Sequence, residues 1–223
     1  MIASVQIADV PVHTALATLA KAPKLTRTPG VRWSKVMLAA PLREQLLPKP
    51  SLKRVALLSF WDDDAALDAY TFPDTFSDGW GARLEPLRVH GSWPGLDPNL
   101  PTAREIEYTG PAIVFTLGRL RISQGARFLR TSARAEEAVL RARGCTWATG
   151  LGRPPFVATC SLWENYDAIA AYAFNDRNGG HPAAIDEGRR KPFHKQEAFV
   201  RFRPYRMRGS LTGTNPLSEN IDG

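Results

Sequence analysis

Residues 56–70 read ALLSFWDDDAALDAY and residues 158–172 read ATCSLWENYDAIAAY. Superimposed without a gap, the two stretches share Ala56/Ala158, Ser59/Ser161, Trp61/Trp163, Ala66/Ala168, Ala69/Ala171 and Tyr70/Tyr172. A shorter echo lies upstream, where Gly30-Val31-Arg32-Trp33 matches Gly144-Cys145-Thr146-Trp147. A repeat of this length is too long for a solenoid unit and fits a small domain duplicated and fused.

Both copies read in the same order. The first gives an apolar run Val5 to Val10, an Ala/Leu-rich helix from Val12 to Leu25, and strands Val31–Ala40 and Arg54–Trp61. A helix with an acidic start at Asp62–Asp64 follows, then a last strand near Leu87–Trp93. The second gives strand Ala112–Leu120, helix Ile122–Arg143, strands Cys145–Leu151 and Phe156–Trp163, a helix from Tyr166, and strand Ala198–Tyr205. Periods of two and 3.6 thus alternate as βαββαβ, twice, the ferredoxin-like arrangement. Each such sheet carries helices on one face only, so its bare face needs a partner. The expected class is therefore α+β: two tandem ferredoxin-like units forming, within one chain, a dimeric α+β barrel. The expected division is 1–95 for the first unit, 96–110 for a proline-rich linker, 111–208 for the second unit, and 209–223 for a mobile polar tail.

In the helix Ile122–Arg143, Ile122, Ala126, Leu129, Ala133 and Leu140 form an expected apolar stripe, and Arg127, Arg130, Arg134 and Arg141 an opposite one, read as a solvated face. Cys145 and Cys160 are expected to lie roughly opposite each other on one hairpin as reduced thiols. No run of eighteen apolar residues and no signal-peptide pattern is seen, so a cytoplasmic protein without a transmembrane span is expected, with peripheral membrane contact left open. The formal net charge is +7. Residues 1–110 carry 12 basic and 12 acidic side chains and residues 111–223 carry 17 and 10, so the excess lies in the second copy. That favours an acidic partner. Nucleic acid is not expected, because no zinc-finger spacing, helix-turn-helix or aromatic RNA-binding motif occurs. A monomer or a homodimer joined through edge strands remains open.

Walker, Rossmann, CxxC, HExxH and GxSxG patterns are absent. Among His13, His90, His181 and His194, His181 stands apart: it follows the helix-breaking Asn175–Gly180 and precedes Pro182, which suits a helix start. The first copy has no histidine at the corresponding place.

The stretches FVATCSLWENYDAIAAYAF (156–174), GGHPAAI (179–185) and KPFHKQEAFVRFRPY (191–205) resemble the spheroidene monooxygenase family of carotenoid biosynthesis. That resemblance implies a haem-containing oxygenase acting on an apolar, carotenoid-like substrate with electrons from a ferredoxin-like donor. Trp163, Ala168, Tyr172 and His181 are also similar to the helix of dimeric ferredoxin-like haem-degrading monooxygenases, which implies His181 as the iron ligand of haem b. Haem needs an apolar slot and cations for its propionates. Trp147, Trp163, Tyr172 and Phe174, together with Phe115 and Ile169, are the expected walls. Arg177 and Arg189, with Arg190, are the expected cations. Other haem chemistry of dehydratase or peroxidase type, a cofactor-free oxygenase, and a non-catalytic haem or lipophile carrier stay open on the same scaffold.

Overall fold

The structure is a computed structural model and describes residues 1–20, 28–42, 52–103, 105–125, 127–128, 138–174 and 192–211. The first unit contributes β1 (Ile2–Asp9), α1 (Val12–Ala20), β2 (Val31–Pro41), β3 (Arg54–Trp61), α2 (Asp64–Asp68) and β4 (Trp80–Gly91). The second contributes β5 (Ala112–Leu120), β6 (Cys145–Arg153), β7 (Phe156–Trp163), α3 (Tyr166–Phe174) and β8 (His194–Arg208). All eight strands join in one closed barrel, in the order β1-β3-β2-β6-β7-β5-β8-β4. The two sheets therefore bury their bare faces by closing edge to edge around a shared interior.

Two antiparallel seams close the barrel. One pairs Leu38–Pro41 of β2 with Thr149–Gly152 of β6, and Thr149 Oγ1 donates across it to the Ala40 carbonyl at 2.8 Å. The other runs from Gly81 to Gly91 of β4 against Ala198 to Arg208 of β8. Because β2 and β6 pair only over Leu38–Pro41, residues 31–37 and 145–148 keep strand edges that meet no strand across this seam among the described residues.

The repeat is visible atom by atom. A β-bulge falls between Val31 and Trp33 opposite β3, and another between Cys145 and Trp147 opposite β7. The Gly30 carbonyl accepts from Asp62 N at 2.9 Å, and the Gly144 carbonyl from Glu164 N at 2.8 Å. Both glycines have positive φ, 77° and 82°, and a Cβ on either would collide with Ala66 or Ala168 of the following helix. Asp63 caps α2 by accepting from Ala66 N at 2.9 Å, and Asn165 caps α3 by accepting from Ala168 N at 2.8 Å. The Trp61 and Tyr70 ring centroids lie 5.2 Å apart, those of Trp163 and Tyr172 5.3 Å.

Strand alternation sorts side chains into two sets. Inside the barrel lie Val5, Ile7, Leu58, Phe60, Leu84, Phe115, Cys160, Leu162, Val200 and Phe202, all buried. Trp80 and Trp147, 6.4 Å apart, pack at one end, where Leu211 is also buried. Trp33, Trp93 and Phe156 pack at the other, under Leu96 and Leu100 of the connector. Outside, α1 covers the first unit's sheet over Val36, Val55, Leu57 and Ala8.

Several expectations change. β4 begins at Trp80, seven residues before the expected Leu87, and β8 begins at His194 rather than Ala198. Cys160 pairs with Thr149 and faces the interior, whereas Cys145 packs outside against the helix layer, so the thiols are not opposed. Burial raises both thiols, Cys145 to about 11. Ile122 is 88% exposed and Leu140 44%, so these two members of the expected apolar stripe are not buried. Ala126, Leu129 and Ala133 lie outside the described residues, as do 212–223 of the expected tail.

Candidate functional site

The closed barrel fills its interior with side chains, so the outer face of each unit is where a ligand has room. The two outer faces can be compared position by position, because the registers of the two units match. Ala8 pairs with Val55 and Gly118 with Val157; Val36 pairs with Leu57 and Gly150 with Thr159; Leu38 pairs with Val55 and Gly152 with Val157. Where the first unit places Ala8, Val36, Leu38 and Leu57, the second therefore places Gly118, Gly150, Gly152 and Thr159. Among the described residues, a Cβ built on Gly152 meets nothing within 4 Å, and one on Gly150 meets only Leu42 at 3.4 Å and the Ala40 carbonyl at 3.6 Å. Along β6 the second floor is reduced to glycine where the first carries Val36 and Leu38, while Val157, Thr159 and Phe199 remain on the neighbouring strands.

At one end of this trimmed floor, α3 lays Tyr166, Ile169 and Tyr172 over Trp163, with Ala112 and Cys145 beneath and Ile106 and Tyr108 of the connector beside them. Trp163 Nε1 donates to Ser161 Oγ at 2.9 Å. In the first unit Trp61 Nε1 donates to Ser4 Oγ instead, and the position of Ser4 is taken by Val114 in the second. At the other end the His194 ring lies against Gly118, within 5.4 Å of the Phe128 centroid, and its Nδ1 is 3.1 Å from Glu197 Oε2. Burial pushes the imidazole below its ordinary value, Glu197 opposing in part.

Arg201 of β8 was not expected. It is 8% exposed, on the outer face beside α3, with its guanidinium 4.9 Å from the Tyr166 ring centroid. Neither Arg201 Nη1 nor Tyr166 Oη has a hydrogen-bond partner among the described residues. Burial pushes this guanidinium down, Tyr166 opposing in part and neighbouring Arg88 adding to the fall.

Of the expected site residues, Trp163 and Tyr172 meet, as does Ile169. Trp147 does not join them: the bulge after Cys145 turns it into the barrel interior against Trp80. Phe115 also faces inward, against Phe202. Arg177, His181, Arg189 and the Phe174 side chain lie outside the described residues. His13 and His90 are exposed; His13 lies on α1 of the first unit, whereas His90 lies in the row of Phe199, Thr116 and Thr159 at the β4 margin of this face, its ring centroid 6.1 Å from that of Phe199. Among the described residues no three His, Cys, Asp or Glu side chains converge as a metal site, and no helix is long and apolar enough to cross a membrane.

At the rim near Phe156, Lys35 Nζ sits 4.2 Å from the ring centroid and Arg119 5.7 Å. Burial, then Arg153 and Arg119, hold the Lys35 ammonium below its usual range. This is a compact basic patch.

No protein-family profile matches the chain. Among curated proteins, a spheroidene monooxygenase of Rubrivivax gelatinosus is 31% identical over 195 residues, which span 83% of this chain and 73% of the relative. The chain belongs to the spheroidene monooxygenase family. It is an oxidoreductase of the monooxygenase type. A second spheroidene monooxygenase, from Rhodobacter capsulatus, is 25% identical over 80% of this chain and 78% of its own length. An aldoxime dehydratase of known structure aligns with this monooxygenase at TM-score 0.53 and 9% identity, over 91% of this chain and 80% of that one, a likeness of fold alone.

Proposed function

We propose that this monooxygenase binds haem b on the outer face of its second unit and hydroxylates or oxygenates an apolar, carotenoid-like substrate with O2 and electrons from an acidic, ferredoxin-like donor in the cytoplasm. The observation that carries the reading is the trimmed floor. Gly150 and Gly152, with Thr159 in place of Leu57, leave space among the described residues for a flat apolar ligand at the positions that Val36, Leu38 and Leu57 fill in the first unit, while the His194 ring closes the floor over Gly118. Two further features fit the group: aromatic side chains at Trp163 and Tyr172, and a buried cation at Arg201 without an anionic partner among the described residues. Bound haem supplies O2 activation. In this reading His181 would hold the iron, and Arg177 and Arg189 would be cations for its propionates. Trp163, Tyr166, Ile169 and Tyr172 exclude water from that end of the face. The basic patch of Lys35, Arg119 and Arg153 suits an acidic donor.

The test is reconstitution with hemin. The wild-type protein is expected to give a Soret band, and His181→Ala to lose it, while His13→Ala, His90→Ala and His194→Ala keep it. With reductant, the haem-loaded protein is expected to convert spheroidene under air. A normal Soret band in His181→Ala removes the ligand assignment; its absence in the wild type removes the haem reading.

A further inference from the structure

The two units carry the same arginine in opposite electrostatic situations. Ser4 of β1 lies between Ser59 of β3 and Arg83 of β4, and Val114 of β5 lies between Ser161 of β7 and Arg201 of β8. Ser59 and Ser161 are matched in the repeat, so Arg83 and Arg201 occupy one and the same place in the two halves. Their neighbours agree as well: Arg83 pairs with Arg206, and Arg201 with Arg88.

Arg83 is neutralised. Its Nη1 donates to Asp64 Oδ1 at 2.6 Å and its Nη2 to Asp68, both on α2, and Tyr205 Oη donates to Asp64 at 2.8 Å. In the ungapped alignment of the repeats, Asp64 becomes Tyr166 and Asp68 becomes Ala170. Both carboxylates have been removed above Arg201, while the arginine has been kept and is almost wholly buried. A buried cation without a counter-charge is costly, and a buried charge lacking its hydrogen-bond partners more so. An anion that arrives with a ligand would meet both the guanidinium and the Tyr166 hydroxyl, in the space that the Asp68 side chain fills in the first unit. The surroundings, Trp163, Ile169, Val114 and Leu87, are apolar, so the remainder of that ligand is apolar too.

We propose that Arg201 and Tyr166 form a carboxylate-binding subsite for an apolar ligand on the outer face of the second unit, the ligand's carboxylate replacing the lost Asp64/Asp68 pair. Arg201 offers a planar fork that matches a carboxylate, and Tyr166 a neutral donor beside it. The subsite deepens the functional reading above, since a haem propionate is such a carboxylate. A long-chain fatty acid presents the same chemistry without the porphyrin.

The experiment titrates the full chain with hemin, hemin dimethyl ester, laurate and dodecanol, following tryptophan fluorescence in wild type, Arg201→Met and Ala170→Asp. Ala170→Asp rebuilds the internal counter-ion, and it tests the idea without removing the arginine. Hemin is expected to bind the wild type about tenfold more tightly than its ester, the scale of one charge-assisted hydrogen bond. Both substitutions are expected to erase that preference while leaving ester affinity unchanged. A preference that survives in either variant overturns the proposal. Hemin binding with a Soret band but no preference over the ester overturns it too, and leaves the haem reading standing. Laurate preferred over dodecanol in an Arg201-dependent way, with no hemin binding, upholds the subsite and rejects haem. If no carboxylate probe shows an Arg201-dependent preference, the subsite does not exist.

Discussion

Replacing each of the two equivalent arginines by methionine, in the absence of ligand, is expected to move stability in opposite directions. Arg83→Met removes two charge-assisted hydrogen bonds, to Asp64 and Asp68. Both carboxylates are half-exposed, at 47% and 58%, so they rehydrate once released and the loss is smaller than for a buried pair. About 1–2 kcal/mol is expected. Arg201→Met removes a buried cation with no anionic partner among the described residues and substitutes an apolar chain of similar length. Such swaps are neutral or stabilising by about 1–4 kcal/mol, less about 0.5–2 kcal/mol for the lost stacking on Tyr166. With about 2 kcal/mol for the first and about 1 kcal/mol for the second, the net expectation is a gain of about 1 kcal/mol. At about 2–4 °C per kcal/mol for a chain of this size, Arg83→Met melts lower by a few degrees and Arg201→Met melts at or above the wild type. Scanning calorimetry at neutral pH reads both. A comparable fall in the two variants would refute the reasoning, because it would mean that Arg201 is as well compensated as Arg83.

Gly152→Leu restores the residue that the first unit carries at that position, and a Cβ there meets nothing within 4 Å among the described residues. Hemin affinity is expected to drop about tenfold or more while the melting temperature changes by less than the equivalent of about 1 kcal/mol; unchanged affinity would place the ligand elsewhere. His194 is half-buried and its folded-state pKa is lowered, chiefly by desolvation. The unfolded chain therefore binds more protons below about pH 6.5, and stability falls as the pH drops from there toward the lowered folded value. His194→Gln is expected to flatten that part of a denaturation-versus-pH curve. Cys145 and Cys160, both with raised pKa, are expected to resist iodoacetamide in the native protein at neutral pH and to react on unfolding, which mass spectrometry reads.

Much of the architecture was legible because a duplicated pattern is its own control. The match of Trp61 with Trp163 and Tyr70 with Tyr172 set the offset between the units, and the bounds of β3, β5 and β7 followed from it. The start of β4 is hidden in the sequence because Pro86 and two register shifts, at Arg83/Leu84 and Pro86/Arg88, break its alternation, although Trp80, Ala82 and Leu84 still face inward in period two. Trp147 departs from simple alternation for a similar reason. Counted from Cys145 by alternation it points outward, and a bulge, which adds a residue without a local sequence signal, reverses it. The aromatic end of the site was readable from the repeat. Arg201 was not, because it lies 38 residues after Trp163 whereas Arg83 lies 22 after Trp61; only strand register shows that they coincide. The disappearance of Asp64 and Asp68 was in the alignment all along, but it acquires meaning only once the arginine beneath it is known.

The two seams of the barrel differ in length, and that gives the molecule a direction in which to breathe. Between β4 and β8 the ladder runs the whole length of β4, whereas β2 and β6 meet only over Leu38–Pro41, with the Thr149 hydroxyl as an added stitch. Partial opening follows the least-paired boundary. The barrel should part along β2 and β6 while staying hinged on β4 and β8, as a book opens away from its spine. Gly150 and Gly152 belong to both that boundary and the trimmed floor, so the opening movement widens the ligand face itself. Amide hydrogens of residues 38–41 and 149–152 would then exchange ahead of those in β4, and a ligand seated on the floor would slow them.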